Sequence, residues 1–423
     1  MQKLMTTFGI VSLACVLSAA PLSWQDGAPV APAAPSAPAK QDAPAKAPKA
    51  SDGKKSGSAN GTGSGGKAAK EPKKIRPAGV WYGVEKAPEK KAGAVRIAAY
   101  NVENLFDAVD DPTLQGEYDD IKMATKATRV QAIADEIKRL DADILCIEEV
   151  ESLDALKWFR DTYLKDMGYA HAYSEEVGYY RGVEQACLSR FPIKSHATFI
   201  TEDLTDMDAL RDGEGWAGKK PDQAQKFQRS PLKVEIDVNG WTVILYSVHF
   251  KAGGKEFDYQ RESEALQTIE FVKQDLAANP AANVAVLGDF NATPSMKTPK
   301  AFGAAGMKGA YDFRANKDSG TKDLYTTHDS GRAIDYIFMT KGLADDVVDG
   351  GFFVMGTMHP ASDYDWKTDP EKEKVPAGYA SDHCPVAVDV MPKDAAPKDA
   401  APKDAAPMDG APKTAPAPAA KPS

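Results

Sequence analysis

The segment Val284–Pro294, with the sequence VAVLGDFNATP, decides how the rest of the chain can be arranged. Its first four residues are apolar and predict a buried strand, and Gly288 releases the backbone where that strand ends. Asp289 and Asn291 follow two positions apart, so their side chains point the same way on extended backbone. A carboxylate and a carboxamide aimed into one space suit a hard cation or a phosphate, although an ordinary Asx/Pro turn accounts for the same residues.

Polar side chains also stand at the ends of other predicted strands. The strand that begins at Val95 runs into Asn101 and Glu103, and the next strand ends on the adjacent carboxylates Glu148 and Glu149. In order along the chain, the six strand ends offer Asn101, Glu149, His249, Asp289 with Asn291, Asp335, and Asp382 with His383. Each residue is a weak signal by itself, but their shared placement favours a single site.

Three of these positions call for particular partners. Asp335 lies in the largely apolar segment RAIDYIF, where a carboxylate needs a partner such as a histidine. Glu149 stands at the exit of a buried strand and stays ionised there only beside a cation, which makes it a candidate metal ligand. His249 is followed by Lys251 and two glycines, which favours a loop that faces phosphate, although a lone histidine at a strand end is often structural.

The chain between its two ends predicts one globular unit, Ala94–Met391, which is long enough for a core with two layers of sheet. Apolar residues at the 3.6-residue period predict helices over about 130–140, 153–164 and 266–276. Asn239-Gly240 predicts a hairpin that leads into the strand carrying His249.

The two ends of the chain lack the composition of a folded domain. Residues 1–23 predict a secretory signal peptide, because their apolar run is too short to span a membrane. Leu13-Ala14-Cys15 resembles a lipoprotein box, which leaves a lipid anchor at Cys15 as an alternative. Residues 24–93, rich in Ala, Pro, Lys and Gly, predict a disordered linker, and the PKDAA repeats of residues 392–423 predict a disordered tail.

Charge and cysteine content restrict the function further. The formal net charge of −9 excludes broad cationic attraction to nucleic acid, so metal ions and a few local basic side chains would have to hold a polyanionic substrate. Cys146, Cys187 and Cys384 lie in apolar, strand-like runs and are expected to be small buried side chains. Whether two of them form a disulfide stays open.

Six segments resemble the motif series of the endonuclease/exonuclease/phosphatase superfamily, which has the DNase I-like fold: NVENLF, DILCIEEV, SVHFK, GDFNATP, IDYIF and SDHCPV. The resemblance covers residues 94–391. It implies an α/β fold, a four-layer αββα sandwich in which two mixed β-sheets pack face to face with helices outside. It also implies a phosphoester hydrolase that needs Mg²⁺ or Mn²⁺.

The same resemblance implies roles for individual residues. Glu149 and Asn101 resemble metal ligands, with Asp382 and Glu103 as further carboxylates for the metal. Asp289 resembles the residue that orients or deprotonates the attacking water. Glu148 stands where the family usually has Gln, which would add a negative charge beside the metal.

The remaining roles concern the phosphate and the two histidines. His383, oriented by Asp335, resembles the histidine that contacts the scissile phosphate, and His249 resembles a second histidine with Glu184 as its carboxylate partner. The residues expected to hold the phosphate are Asn291, Arg229 and Lys251. Which histidine acts as the acid stays open.

The opening NVENLFD and the VHFKAGG loop look most like secreted bacterial nucleases. We therefore expect an exported nuclease, most simply an endonuclease, that acts on DNA or RNA in the periplasm, outside the cell or tethered to the envelope. We also expect a monomer with no stable protein partner and no transmembrane segment. Two alternatives are a phosphodiesterase or phosphatase for lipid head groups or small phosphoesters, and an envelope binding protein with an inactive site.

Overall fold

The computed structural model describes residues 75–112, 120–211, 225–315, 322–369 and 372–393. The predicted signal peptide, most of the predicted linker and nearly all of the predicted tail lie outside these residues. Among the helices in the described ranges, none combines the length and the apolar character that crossing a membrane requires.

Most strands belong to two six-stranded sheets. The first sheet contains, in spatial order, β12 (Val347–Val354), β14 (Val386–Val390), β2 (Val95–Leu105), β3 (Ile144–Val150), β5 (Glu184–Ser189) and β4 (His171–Ser174). The second contains β10 (Lys308–Gly309), β11 (Asp335–Met339), β9 (Asn283–Asp289), β8 (Trp241–His249), β7 (Leu232–Val238) and β6 (Ile193–Thr198). Two short strands, β1 (Gly79–Val80) and β13 (Met358–His359), form a separate pair. Both large sheets are mixed, because β2 with β3 and β8 with β9 are parallel while the other neighbours are antiparallel.

The helices lie between the strands along the chain. They are α1 (Asp120–Met123), α2 (Ala127–Leu140), α3 (Leu153–Tyr163), α4 (Asp258–Ala278), α5 (Lys297–Ala304) and α6 (Lys341–Asp345). The three helices predicted from apolar periodicity are α2, α3 and α4, so the 3.6-residue pattern is confirmed in each case.

Alternation of side chains along the strands produces four layers. In β2, Ile97 packs in the space between the two sheets, together with residues of β9 such as Leu287. Its neighbour Ala98 packs on the opposite face with residues of α2 and α3. Val286 of β9 likewise packs outward with residues of α4 and α5. Both faces of these strands are therefore buried, which is why the sequence reads as continuous apolar runs. The predicted αββα sandwich is confirmed.

The folded part of the chain begins earlier than the predicted boundary at Ala94. Residues 75–93 were expected to belong to the disordered linker, but β1 pairs with β13 and Tyr82 is 8% exposed. The ring of Trp81 stacks on His359 with 5.2 Å between the ring centroids. Trp81 and Tyr82 supply large apolar surface that the preceding Ala, Pro and Lys residues lack, and this surface accounts for the difference.

The three cysteines of the domain are buried free thiols, and Cys146 lies directly opposite Cys187 in the antiparallel pair β3–β5. Cys384 packs with the residues between the sheets. They contribute as small apolar side chains, as their sequence context predicts.

Candidate active site

The polar strand ends meet at one edge of the sandwich. In the second sheet, Asp289 lies opposite His249 of β8 and opposite Asp335 of β11. Asp335 begins its strand and does not end it, but β11 runs antiparallel to β9, so its start lies beside the end of β9. In the same way, Asp382 and His383 come just before β14, which runs antiparallel to β2. Topology thus gathers residues that are far apart in sequence.

Hydrogen bonds at this edge link residues of the two sheets. The Nδ1 atom of His383 lies 2.9 Å from Oδ1 and 3.1 Å from Oδ2 of Asp335. The hydroxyl of Thr327 donates to Oδ2 of Asp335 at 2.6 Å, which holds this carboxylate in place. Asn101 donates through Nδ2 to Oδ2 of Asp289 at 3.3 Å. The site therefore depends on both sheets.

Asp289 is the centre of this arrangement and is 2% exposed. Its Oδ2 atom lies 3.2 Å from Nε2 of His249 and 3.7 Å from Nε2 of His383. Its other oxygen accepts the backbone N–H of Asn291 at 2.7 Å. Asn291 has a φ of 48°, in the left-handed region that Asn tolerates, and its side chain donates back to Asp289 at 3.0 Å.

The two histidines beside Asp289 differ in charge. Burial opposes protonation of His383, but Asp335, Asp289 and Asp382 together raise its pKa well above the usual value. Burial lowers the pKa of His249, and a nearby arginine lowers it further, so this imidazole is neutral. Burial also opposes ionisation of Asp289, yet the two histidines lower its pKa below the usual value. The result is an ionised carboxylate between a neutral and a charged imidazole.

The adjacent residues Glu148 and Glu149 point in different directions. The pairing of β3 with β5 shifts register between Glu148 and Val150, and Glu149 has a φ of 67°. This bulge leaves Oε1 of Glu149 3.8 Å from Nδ1 of His249 and 3.8 Å from the guanidinium of Arg181.

Glu148 points between the sheets and is fully buried. Its Oε1 atom accepts a hydrogen bond from the hydroxyl of Ser247 at 3.3 Å. Burial, reinforced by Cys146 and by nearby carboxylates, raises the pKa of Glu148 well above its usual range. Burial therefore favours the neutral form of this carboxyl group over the extra negative charge that the sequence leads us to expect beside a metal.

His328 belongs to the site although the sequence does not single it out. Its Nε2 atom lies 3.4 Å from Oδ2 of Asp382, and its ring meets the ring of His383 edge-on with 4.7 Å between centroids. Burial lowers its pKa, but Asp329 and Asp382 outweigh burial and raise it to about 9. The residue stands in the polar turn TTHDSGR, where the only signal is a His-Asp pair shortly before Asp335.

Glu103, expected to be a further metal ligand, is engaged elsewhere. Lys372 forms an ion pair with its Oε1 atom, and the hydroxyl of Tyr379 donates to Oε2 at 2.5 Å. The backbone N–H of Asp382 also donates to Oε2, at 3.3 Å. Both oxygens are occupied by the segment that leads to β14, so the structure does not support Glu103 as a ligand.

Glu184 and His249 do not form the predicted pair. Within the described ranges, the Nδ1 atom of His249 is buried without a hydrogen-bond partner, and the carboxylate nearest to it belongs to Glu149. Glu184 is 1% exposed. Burial raises its pKa well above the usual value, and the negative charge of the nearby Glu176 raises it further. A neutral, buried carboxyl group cannot serve as the ionised partner that the prediction requires.

Two residues expected to hold phosphate have structural contacts instead. Arg229 is 3% exposed and donates to the carbonyl oxygens of His249 at 3.2 Å and Phe250 at 3.1 Å. The ammonium group of Lys251 lies 4.1 Å from the centroid of the Phe257 ring. Arg229 therefore fixes the end of β8, and Lys251 packs on an aromatic ring.

The donor atoms at this edge fit a divalent cation. Two sets, His328 with Asp382 and His383, and Asp289 with Asp335 and His383, each bring one side-chain nitrogen or oxygen atom per residue within 4.8 Å of the others. Because His328 and His383 are charged, the donors in these sets are the carboxylate oxygens of Asp382, Asp289 and Asp335. Glu149 and Asn101 lie at the same edge. Buried carboxylates require compensating positive charge, and oxygen donors are the ligands that Mg²⁺ and Mn²⁺ prefer.

A groove of about 1130 Å³ opens beside Glu103 and Asn104. Its walls come from α1, α2 as far as Asp135, and residues 372–379. Its lining side chains include Lys122, Lys126 and Lys372 and the carboxylates Glu103, Asp135 and Glu373, together with apolar residues. Glu103 lies between the groove and the site, because it lines the groove and also accepts a hydrogen bond from the backbone N–H of Asp382.

Comparison with known proteins gives a family match and a set of similar solved structures. The model of the Endonuclease/Exonuclease/phosphatase family matches residues 98–383. Truncated TDP2 from Caenorhabditis elegans is similar at 16% identity over 71% of this chain and 99% of that chain, with a TM-score of 0.43. The human nocturnin catalytic domain is similar at 18% identity over 71% of this chain and 95% of that chain, with a TM-score of 0.42. A mannosyl-6-phosphatase from Bacteroides thetaiotaomicron is similar at 20% identity over 70% of this chain and 98% of that chain, with a TM-score of 0.45.

No curated protein matches the chain. The family model nevertheless covers the first five of the segments on which the resemblance rests in full, and the sixth as far as His383. The chain therefore belongs to the Endonuclease/Exonuclease/phosphatase family, whose members are phosphoesterases and nucleases.

Proposed function

We propose that the protein is an exported, metal-dependent nuclease that cleaves phosphodiester bonds by attack of water on phosphorus. The observation that carries the proposal is Asp289, an ionised carboxylate between the neutral His249 and the charged His383. Hydrolysis of a phosphodiester needs a group that orients water and accepts its proton, and a positive group beside the phosphate oxygens. These residues supply both.

Each residue has a task in this proposal. Asp289 orients the attacking water and accepts its proton, and Asn291 holds Asp289 through the two hydrogen bonds described above. His383, held by Asp335, neutralises a phosphate oxygen and donates a proton toward the leaving oxygen. The contact of Asn291 with phosphate stays a prediction. Its side-chain amide donates hydrogen bonds to Asp289 and to the carbonyl oxygen of Phe250.

Glu149, Asp382 and Asn101 would hold the metal, Mg²⁺ or Mn²⁺, at the edge where the two sheets meet. A bound divalent cation neutralises the phosphate and stabilises the charge that develops on the leaving oxygen. His328 lies beside Asp382 and keeps that carboxylate in place. Burial opposes ionisation of Asp382, but the nearby His383 and His328 outweigh burial and lower its pKa below the usual value.

The groove beside Glu103 supports an extended substrate over a small phosphoester. Lys122, Lys126 and Lys372 line it beside the carboxylates Glu103, Asp135 and Glu373, so the groove offers basic side chains to phosphate although the chain as a whole has a net charge of −9. Such a groove suits the phosphates that flank a scissile bond in nucleic acid. The predicted signal peptide supports export, and we propose that the protein acts as a monomer outside the cytoplasm on nucleic acid from the surroundings.

The test is cleavage of supercoiled plasmid and of single-stranded RNA by the full chain with Mg²⁺ or Mn²⁺. We expect cleavage that EDTA abolishes and that Asp289→Ala and His383→Ala each reduce to background, while circular dichroism shows that both variants fold. Near-native activity in either variant would show that the site is assigned wrongly.

Two further outcomes separate the alternatives. No cleavage of nucleic acid, but hydrolysis of p-nitrophenyl phosphorylcholine or bis(p-nitrophenyl) phosphate that depends on Asp289, would favour an enzyme for lipid head groups or small phosphoesters. Binding of phosphoesters without hydrolysis of any of them would favour the inactive binding protein.

A further inference from the structure

The end of β2 leaves the ladder of the first sheet just where it reaches the site. The pairing of β2 with β3 shifts register between Asn101 and Leu105. Glu103 and Asn104 have φ values of 54° and 62°, so two successive residues are left-handed. The backbone carbonyl groups of residues 102–104 are therefore turned out of the ladder and need other donors.

One guanidinium supplies those donors. Nη1 of Arg129, in the first turn of α2, donates to the carbonyl oxygen of Val102 at 2.9 Å. Nη2 donates to the carbonyl oxygens of Asn104, at 2.6 Å, and Glu103. Nη1 also donates to the carbonyl oxygen of Ala380 at 2.9 Å. Arg129 thus binds four carbonyl groups on two segments that are distant in sequence.

Those two segments carry the site. Asn101 precedes the first segment, and Asp382 and His383 follow Ala380. Between the same two segments, the hydroxyl of Ser381 donates to the carbonyl oxygen of Asn101 at 2.7 Å and accepts a hydrogen bond from the backbone N–H of His383 at 3.1 Å. The hydrogen bonds of Arg129 and of Ser381 therefore set the spacing between Asn101 and the Asp382-His383 pair.

We propose that Arg129 is a positioning residue for the active site: it holds the end of β2 and the residues before β14 at the separation that hydrolysis requires. This inference rests on the proposed phosphodiester hydrolysis. Arg129 acts through the backbone of the two segments and does not itself contact substrate. Only a planar guanidinium with several N–H groups in a fixed fork can satisfy four carbonyl groups at once. The ammonium of a lysine has three donors on a single atom.

The test compares Arg129→Lys and Arg129→Met with Arg139→Met, a matched change on the same helix. Arg139 donates to the carbonyl oxygens of Glu85 at 3.1 Å and Gly356 at 3.3 Å and pairs with Glu136. None of these partners belongs to the proposed site, so Arg139→Met reproduces the loss of structural contacts without touching the two segments.

We expect Arg129→Met to lower kcat by about 10- to 100-fold on a plasmid or bis(p-nitrophenyl) phosphate, with KM changed little, because misplaced groups impair chemistry more than binding. Arg129→Lys should recover part of that loss, and Arg139→Met should keep kcat within about 3-fold of the parent. Amide hydrogen exchange should quicken at residues 101–104 and 380–383 in Arg129→Met and stay unchanged there in Arg139→Met.

The outcomes keep this inference separate from the proposed function. If the parent protein hydrolyses no phosphodiester, the proposed function fails, and hydrogen exchange alone decides whether Arg129 holds the two segments. If the parent is active and Arg129→Met keeps its kcat, or if both methionine variants lose kcat equally, the positioning role is wrong. Should Arg129→Met fail to fold, Arg129→Lys is judged by the same kcat and exchange criteria.

Discussion

The Nδ1 atom of His383, just before the first sheet's β14, lies 2.9 Å from Oδ1 of Asp335, which begins β11 of the second sheet. This contact fixes the ring so that Nε2 faces Asp289, 3.7 Å away. A histidine held in this way has a fixed ring orientation and a raised pKa, and the raised pKa depends on the charge of its partner.

Replacing that partner should therefore impair catalysis more than folding. In Asp335→Asn the carboxamide keeps the shape but loses the charge, so the pKa of His383 would fall and its positive charge would be weakened. We expect kcat to fall by at least about 100-fold. The measurement is kcat on bis(p-nitrophenyl) phosphate together with the thermal unfolding midpoint. Asp345→Asn, at an exposed position of α6, is the control, and equal kcat values in the two variants would contradict the assignment.

Two adjacent glutamates should respond oppositely to the same substitution. Glu148 is buried and neutral, so Glu148→Gln should preserve its shape and its hydrogen bond from Ser247, with activity within about 3-fold of the parent. Glu149→Gln removes a carboxylate of the proposed metal site and should cost about 10- to 100-fold in activity or in Mn²⁺ affinity. Hydrolysis rates and Mn²⁺ titrations of both variants check this. A large loss in Glu148→Gln would show that its carboxyl group is ionised in the active protein.

The stability of the fold should depend on pH through Glu136 of α2. Burial raises the pKa of this carboxyl group from its usual value of 4.5 to about 7. Because the folded-state pKa is the higher one, the stability contributed by the protonated group is fully present below about pH 4.5 and is lost as pH rises through about 7. In Glu136→Gln the unfolding midpoint should therefore fall less between pH 5 and pH 8. Asp135→Asn, an exposed neighbour on the same helix, should leave the parent profile unchanged, and identical profiles for all three proteins would refute the expectation.

The residues before Ala94 should contribute measurably to stability. A chain of residues 94–393 lacks the buried Tyr82 and the stacking of Trp81 on His359, whereas a chain of residues 75–393 keeps both. Burial of one large apolar side chain contributes about 1.5–3 kcal/mol, so the shorter chain should unfold several degrees lower. Both chains should hydrolyse phosphodiesters well below their unfolding temperatures. Equal unfolding midpoints would mean that residues 75–93 contribute nothing to stability.

Features that depend on local pattern could be predicted from the sequence. Apolar residues at the 3.6-residue period marked α2, α3 and α4, and the apolar runs before Asp289 and Glu148 marked two central strands. The polar residues meet at one edge because the parallel strands β8 and β9 end there, whereas the antiparallel strands β11 and β14 begin there.

Features that depend on contacts between distant segments could not be predicted in this way. Glu103 looks like a ligand in sequence, but Lys372 and Tyr379 reach it from a segment whose path has no periodic signal. The contacts of Arg129 depend on left-handed backbone at two residues that are not glycine, which composition does not reveal. His328 lies in a turn, where spacing does not indicate which way a side chain points.

The hydrogen bond from Asn101 of β2 to Asp289 of β9 means that neither sheet contains a working site by itself. A partly unfolded state that keeps both sheets but loosens the packing between them would retain its far-ultraviolet circular dichroism and yet be inactive. Hydrolysis is then a sensitive reporter of tertiary packing in this protein. During denaturant titration, activity should disappear before secondary structure whenever the two layers of sheet separate ahead of global unfolding.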